Sequence, residues 1–258
     1  MKFALIDDKK VEPSKGAKGF CPNCGAELVA KCGEIKVHHW AHKGIRNCDP
    51  WWENETEWHR FWKNHFPLEW QEVIHKDKTG ERHIADVKTD EDWVLEFQHS
   101  PITSEERNSR NIFYSKIVWI VDGLRLIRDK TQFENVLKSG SRLMYGHIPI
   151  FRIGAPFGSR LLREWSGLNI SVFFDFQESR TIDNSRLWLL IPTKTKDIAY
   201  ILAFSGKEFI EIHNKKGYNE MAFDIIPNIV SFLTKRQMNR SPVHYILPRR
   251  RSRRSNRW

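Results

Sequence analysis

Residues 84–100 read IADVKTDEDWVLEFQHS. Apolar residues dominate 84–87 and 93–97, and Thr89-Asp90-Glu91-Asp92 supplies turn chemistry, so the stretch predicts two strands joined by an acidic turn. Side chains alternate along a strand, which puts Glu96 and Gln98 on one side and Leu95 and Phe97 on the other. With the first strand paired beside the second, Asp86 comes near Glu96. Two carboxylates held close repel each other, and a divalent cation with oxygen ligands relieves that repulsion. The stretch therefore predicts a Mg²⁺ (or Mn²⁺) site on Asp86 and Glu96, with Gln98 one step along the same face to orient a water. The rival reading is an edge hairpin with a solvated polar face, and the flanking sequence has to decide.

Upstream, residues 51–66 read WWENETEWHRFWKNHF and show helical spacing. Trp58, Phe61, Trp62 and Phe66 form an apolar stripe, and Asn54 is the expected N-cap. Glu55 and His59 are four apart and share a face beside that stripe, and Lys63 continues the line. As a plain surface pair Glu55 and His59 would be worth only about 0.2–0.5 kcal/mol. Pro67 ends the helix. A strand is expected over 68–75, then a hairpin turn at Asp77-Lys78-Thr79-Gly80.

Downstream, Ser100-Pro101 breaks the strand, and Thr103 with Glu106 predicts a capping box for a helix to about Ser115. Arg107 and Arg110 lie three apart on it. A solvated charged face is the ordinary explanation, but two guanidinium forks just beyond a carboxylate site also suit phosphates. Residues 116–121, KIVWIV, make a continuous apolar run of the kind found in a strand covered on both faces. Asp122-Gly123 closes it.

Residues 1–50 hold few apolar residues but all four cysteines: Cys21 and Cys24 in a C-x2-C knuckle, then Cys32, then Cys48. His38, His39 and His42 lie between the last two. Two thiolates at knuckle spacing suit one tetrahedral Zn²⁺, with Gly25 permitting the tight turn. His39 or His38, with His42, would complete the set, and Cys32 or Cys48 could replace one of them. Clustered cysteines beside histidines, without an export signal, point to a structural zinc more than to disulfides.

The chain of 258 residues has a net charge of +10 and 11 tryptophans, which marks a folded protein. No apolar run reaches membrane-spanning length, and MKFALIDDKK is a poor secretory signal, so the expectation is a cytoplasmic protein with no membrane contact. The charge is lopsided. Residues 225–258 carry nine basic residues and no acid, whereas the rest of the chain carries 33 basic and 32 acidic residues. A tail containing Arg249, Arg250 and Arg251 would bind polyanions in a salt-dependent way. Between 126 and 234 the sequence predicts a short helix near 132–137. Mostly strands follow, at 147–153, 170–176, 187–191, 199–204 and 209–213, and 221–235 reads as helical except at Pro227.

The order over 51–125 is helix, three strands, helix, strand. With the motifs CPNC (21–24), HHWAH (38–42), ENETEWHRFWK (53–63), HIADV (83–87), EFQHSPI (96–102), EERNSR (105–110) and WIVDG (119–123), the chain resembles the competence protein CoiA-like nucleases, and more widely the PD-(D/E)xK nucleases. The resemblance covers roughly residues 20–125.

It implies an α/β (α+β) protein: a small zinc-binding module at 1–50, a restriction-endonuclease-like αβββαβ core at 51–125, a mostly β region at 126–234 and a basic tail at 235–258. It further implies a Mg-dependent nuclease acting on DNA in uptake, processing or defence, with Asp86 and Glu96 as metal ligands. Glu55 would be the acid of the first helix, with Glu57 its competitor. Gln98 departs from the wider pattern, in which lysine is usual, and Lys63 is the stand-in. The expected roles are then Glu55, His59, Asp86, Glu96 and Gln98 in catalysis, with His99, on the opposite strand face, a lesser candidate. Arg107, Arg110, Lys63 and the tail arginines would hold nucleic acid. A partner protein or a homo-oligomer would supply sequence-reading elements that the chain lacks. The competing expectation is a nucleic-acid-binding adaptor with a nuclease-derived fold and no turnover.

Overall fold

The computed structural model describes residues 1–44, 48–179 and 181–238. The tail arginines Arg249, Arg250 and Arg251 lie outside the described residues. Five short strands, β1 (Ala4–Ile6), β2 (Lys9–Val11), β3 (Lys18–Phe20), β4 (Glu27–Lys31) and β5 (His39–His42), form an antiparallel sheet in the order β2-β1-β3-β4-β5. Asp7 and Asp8 both take positive φ (49° and 59°), the conformation of a two-residue hairpin turn whose twist matches its strands. Met1, Ala4, Cys21, Leu28 and Trp40 make a small core beneath this sheet.

Helix α1 (Glu57–Lys63) starts three residues after the expected Asn54 cap. Thr56 caps it instead: its hydroxyl accepts from the His59 amide, and the His59 ring accepts from the Thr56 amide in return. This reciprocal arrangement leaves Glu55 outside the helix, so Glu55 and His59 do not share a helical face. The apolar stripe survives, with Trp58, Trp62 and Phe66 buried. A 3₁₀ turn at Leu68–Trp70 replaces the start of the strand expected over 68–75.

Strands β6 (Gln71–Lys76), β7 (Arg82–Lys88) and β8 (Val94–Gln98) then pair antiparallel in succession. Helix α2 (Ser104–Phe113) carries the chain across to β9 (Ile117–Asp122), which runs parallel to β8. The order helix, three strands, helix, strand is thus present. Thr103 caps α2 through the Glu106 amide, and α2 stops at the Tyr114 C-cap. In β9 the residues alternate between two buried clusters, Val118 and Ile120 facing one and Ile117, Trp119 and Val121 the other. A strand covered on both faces needs no polar side, which explains the unbroken apolar run.

The chain continues through α3 (Asp129–Ser139), β10 (Ser141–Tyr145), β11 (Ile148–Ile153), α4 (Arg160–Trp165), β12 (Val172–Asp175), β13 (Arg186–Leu190), β14 (Ala199–Ser205), α5 (Gly206–Asn214), α6 (Tyr218–Glu220) and α7 (Ile226–Met238). Its strands extend the same sheet, whose nine members run β10-β11-β14-β13-β12-β9-β8-β7-β6. β12 lies parallel to β9, so three neighbouring strands, β8, β9 and β12, end on the same side. The segment 209–213, expected as a strand, lies in α5. Ser205 and Glu208 form a capping box there, and Phe209 and His213, four apart, are buried. α6 runs through a π-helical turn (Met221–Ile225) directly into α7, so Pro227 lies inside a continuous helical stretch just after that wide turn, and the break expected at Pro227 does not occur.

Candidate active site and metal centre

The pairing of β7 with β8 matches Val87 to Leu95 and Lys88 to Val94, and the next position in that register would set Asp86 against Glu96. The ladder does not continue there. Asp86 Oδ2 takes the Phe97 amide instead, at 3.0 Å. Both carboxylates face a cavity of about 50 Å³, shared with Glu53, Glu55, His59, Lys63, Glu72 and Arg110. That volume admits a water or two, or one cation, but not a nucleotide.

The cations in this cavity are internal. Lys63, 1% exposed, places Nζ 2.8 Å from Glu55 Oε2, 3.2 Å from Glu72 Oε1 and 3.5 Å from Asp86 Oδ1. Burial works against its charge, but the three acids outweigh it and raise its pKa. Arg110 donates to Glu96 Oε2 at 2.9 Å and to the Trp51 carbonyl at 2.7 Å, and it also pairs with Glu106. Arg107 is 8% exposed, with its guanidinium 5.0 Å from the Trp165 ring. The expectation that Arg107, Arg110 and Lys63 hold flanking phosphates is therefore corrected. All three are buried, and Lys63 and Arg110 are committed to the acids of the site.

Glu96 is 4% exposed and its Oε1 has no hydrogen-bond partner. Burial, reinforced by the charge of Asp86 and only partly opposed by Arg110, pushes its carboxyl up to about 8. Burial also raises Asp86, against the pull of Lys63 and His59. A carboxyl that holds its proton this far up, with a free oxygen facing a small cavity, fits the donor set of a hard divalent cation. Mg²⁺ commonly takes one or two protein carboxylates and fills its other positions with water and phosphate. Asp86 and Glu96 fit that role. Glu55 Oε1 lies 3.1 Å from Arg60 Nε, in poor alignment for a hydrogen bond, so Glu55 serves chiefly as an ion-pair partner.

Three acids lining this cavity, Asp49, Glu53 and Glu72, are not marked by the sequence, and Asp49 is taken up by the His83 ring (2.8 Å) and the Ile84 amide (2.8 Å). Glu53 Oε1 accepts from the His59 ring (3.2 Å) and the His99 amide (3.2 Å), and its Oε2 accepts from the Ser100 amide (2.7 Å). Burial alone would raise Glu53; the His59 ring and the Ser100 amide outweigh it and hold the carboxyl at about 2. Glu72 accepts from the Lys2 amide (2.6 Å) and the Phe3 amide (3.0 Å), so the N-terminal segment closes one wall of the cavity. Burial opposes the charge of Glu72 as well, but Lys63 and these donors hold it at about 2. Gln98 does not line the cavity. Its amide nitrogen donates to the Ser100 carbonyl at 2.8 Å, so it is not placed to orient a water beside Glu96.

The second centre lies in the N-terminal sheet. Cys21, Cys24, His42 and Cys48 bring four donor atoms within 4.8 Å of one another, and among the described residues they are the only such group of three or more Cys, His, Asp or Glu donors. Cys21 Sγ lies 3.6 Å from Cys48 Sγ, and Cys24 Sγ lies 3.4 Å from His42 Nε2. Those spacings match the edge of a tetrahedron with Zn–S bonds of about 2.3 Å, roughly 3.7 Å. All four cysteines are free thiols. Burial and the nearby Cys21 push the Cys48 thiol up to about 12. A divalent cation would remove that cost by binding the thiolate. The group therefore suits a structural metal such as zinc.

His39 does not belong to it, and neither do His38 and Cys32. His39 and His42 are three apart on β5 and point to opposite faces, and the His39 ring contacts the Val37 carbonyl at 2.9 Å. Cys48 takes the place expected for His39.

Residues 6–50 match the family model described as competence protein CoiA, N-terminal domain. The match contains the entire Cys/His group. It ends before α1, so the acidic cavity rests on its own geometry. No curated protein matches the chain, and no solved structure does. No helix among the described residues is long and apolar enough to cross a membrane.

Proposed function

We propose that the chain is a CoiA-like, divalent-cation-dependent nuclease whose PD-(D/E)xK-type core spans α1 to β9, and that it hydrolyses DNA phosphodiester bonds in the cytoplasm. The observation that carries this reading is the convergence of Asp86, Glu96 and Lys63 on one cavity of about 50 Å³. An acid pair on adjacent strands with a buried ammonium is a charge arrangement suited to metal-assisted in-line phosphoryl hydrolysis. The N-terminal sheet supports it: its CoiA-like residues 6–50 carry the zinc-type group, and Lys2 and Phe3, just ahead of them, close the cavity through Glu72.

Asp86 and Glu96 would hold the Mg²⁺ or Mn²⁺ ion, Glu96 through its unpartnered Oε1. When bound, such an ion polarises the phosphoryl oxygens and lowers the pKa of a water. Lys63 stays protonated among its three acids, so it serves as a fixed positive charge toward the phosphorane-like transition state and not as a base. It takes the part for which Gln98 is out of reach. Glu55 and Glu72 orient that ammonium. Glu53 and the capping box at Thr56 fix the His59 ring at the cavity wall. Nucleic acid would reach the site from outside this small cavity, with the basic tail supplying non-specific attraction.

One observation favours the adaptor reading: Lys63 and Arg110 already compensate much of the negative charge that would attract a cation. Labelled single- and double-stranded DNA incubated with Mg²⁺ or Mn²⁺ separates the two. The nuclease reading expects cleavage that falls at least about a hundredfold in both Asp86→Asn and Glu96→Gln. Salt-sensitive binding with no product under either metal would select the adaptor. Cleavage that survives both substitutions would remove the site.

A further inference from the structure

Beside the acidic cavity, where three parallel strands end together, lies a second titratable pair. β8, β9 and β12 finish at Gln98, Asp122 and Asp175, and β9 and β12 set Asp122 opposite Asp175. Ligands of α/β sheets bind beyond the carboxyl ends of parallel strands, where the loops diverge. His99 is the first residue past β8. Its Nδ1 lies 2.8 Å from Asp122 Oδ2, and its side chain is 37% exposed, whereas that of Asp122 is 2% exposed.

The surroundings fix this pair closely. Asp122 Oδ1 accepts from the Leu124 amide (2.8 Å) and from Gln177 Nε2 (3.0 Å), so the carboxylate cannot turn away. The His99 amide is held by Glu53 Oε1, the same oxygen that takes the His59 ring. The His99 and His59 ring centroids are 5.9 Å apart, and His59 lines the acidic cavity. With Asp122 accepting, Nδ1 carries a proton, and Nε2 is left on the exposed edge with no protein partner among the described residues. A histidine of this kind is a buried carboxylate's partner presenting one free nitrogen beside a site of phosphoryl chemistry.

We infer that His99 is the general acid for the leaving oxygen of the phosphodiester, with Asp122 as its positioning residue. The inference rests on the nuclease reading and adds a residue to it. In the step, the water oxygen forms a bond to phosphorus and its proton passes to solvent. The bond from phosphorus to the leaving oxygen breaks, and that oxygen takes the proton from His99 Nε2. Solvent then reprotonates the imidazole. The charged groups that face His99 are Asp122 from β9, Glu53 and His59 from the entry to α1 and its first turn, and Arg125 from the turn after β9. The hydrogen bond to Asp122 is the largest influence and raises the imidazole pKa, Glu53 adds to it, and burial and Arg125 oppose it. The shift is toward the imidazolium, the form that can donate.

The test uses the full chain and two readouts. In NMR titrations His99, assigned by its loss in His99→Gln, titrates above the ordinary histidine value of about 6.5, and Asp122→Asn lowers it. Titration at or below that value in the wild type overturns the inference whatever the activity. In the second readout, ordinary DNA is compared with strands carrying sulfur at the 3′- or 5′-bridging position of the cleaved bond. A thiolate leaves without protonation. His99→Gln should slow ordinary DNA about a hundredfold and the matching sulfur substrate less than about threefold. Equal slowing of both would leave the nuclease standing and overturn the general acid. A wild type that cleaves neither would reject the nuclease reading and this inference with it.

Discussion

The Lys63 ammonium, from the last turn of α1, stands 3.5 Å from Asp86 Oδ1 on β7 while pairing more closely with Glu55 and Glu72. One buried cation thus serves three acids drawn from a loop and two strands. Removing it would leave three carboxylates in a site with little water. Lys63→Met is expected to cost about 3–5 kcal/mol, the usual scale for breaking a buried pair. Adding Glu72→Gln to it should recover part of that loss, because one of the orphaned charges goes too. Urea unfolding of the single and double variants measures both effects. A loss below about 1 kcal/mol in Lys63→Met would mean the acids are as well screened as a surface pair.

Cation binding at Asp86 and Glu96 should be coupled to proton release. Burial and the neighbouring Asp86 push the Glu96 carboxyl up to about 8, so near neutral pH it holds a proton that the metal must displace. Apparent Mg²⁺ affinity should therefore rise as pH rises, by up to about tenfold per unit, and flatten above about 8. Calorimetry in two buffers of different ionisation enthalpy should report close to one proton released per ion near neutral pH. Glu96→Gln should abolish both the proton release and the slope. Affinity independent of pH across that range would exclude Glu96 as a ligand.

The core was legible where local periodicity and pairing coincide. The acidic turn at 89–92, the apolar alternation on either side and the doubly buried run of β9 each dictate one conformation, and together they set Asp86 beside Glu96. Helix starts were less legible, because Asn54 and Thr56 both make good caps and only the reply of the His59 ring distinguishes them. Over α5 the capping-box spacing of Ser205 and Glu208 marks a helix, but Phe209 and Ile210 alone favour either state, and the strand expected there does not form. Glu53 and Glu72 were illegible for a different reason. Their partners are backbone amides of Ser100 and of Lys2 and Phe3, and nothing in a sequence marks an amide that a distant carboxylate will claim. The opposite facing of His39 and His42 was available from strand alternation once β5 was recognised as a strand.

Glu53 makes a separate prediction about acid stability. Its carboxyl sits at about 2, below its ordinary value of 4.5, because the His59 ring and the Ser100 amide outweigh the cost of burial. A carboxylate depressed in the folded state adds stability that is fully present above its unfolded pKa and fades as pH falls toward the folded one. The side chain is 18% exposed, so the shift corresponds to at most roughly 3 kcal/mol. Folded chain should thus lose stability between about pH 4.5 and 2, and Glu53→Gln should flatten that part of the profile while lowering stability at neutral pH. Denaturant midpoints measured across this range check both signs. A wild-type profile unchanged by Glu53→Gln would mean that the 99–100 turn holds without the carboxylate.

The Cys/His group supplies the last prediction, and it separates four ligands from three bystanders. Cys21, Cys24, His42 and Cys48 converge within 4.8 Å, whereas His39 faces the other side of β5 and its ring meets the Val37 carbonyl. Purified, reduced protein should contain about one zinc per chain by elemental analysis. Cys48→Ser and His42→Ala should each lower that content and weaken retention against a chelator, while His39→Ala, His38→Ala and Cys32→Ser should leave it intact. Loss of zinc should also reach the distant cavity. Lys2 and Phe3, next to β1 of the same sheet, give Glu72 two of its hydrogen bonds, so a loosened N-terminal sheet would release one wall around Lys63. Chelation should accordingly lower the midpoint of thermal unfolding, and less so in Glu72→Gln, where that tie is already weakened. A His39→Ala variant that loses its zinc would refute the assignment of Cys48 over His39.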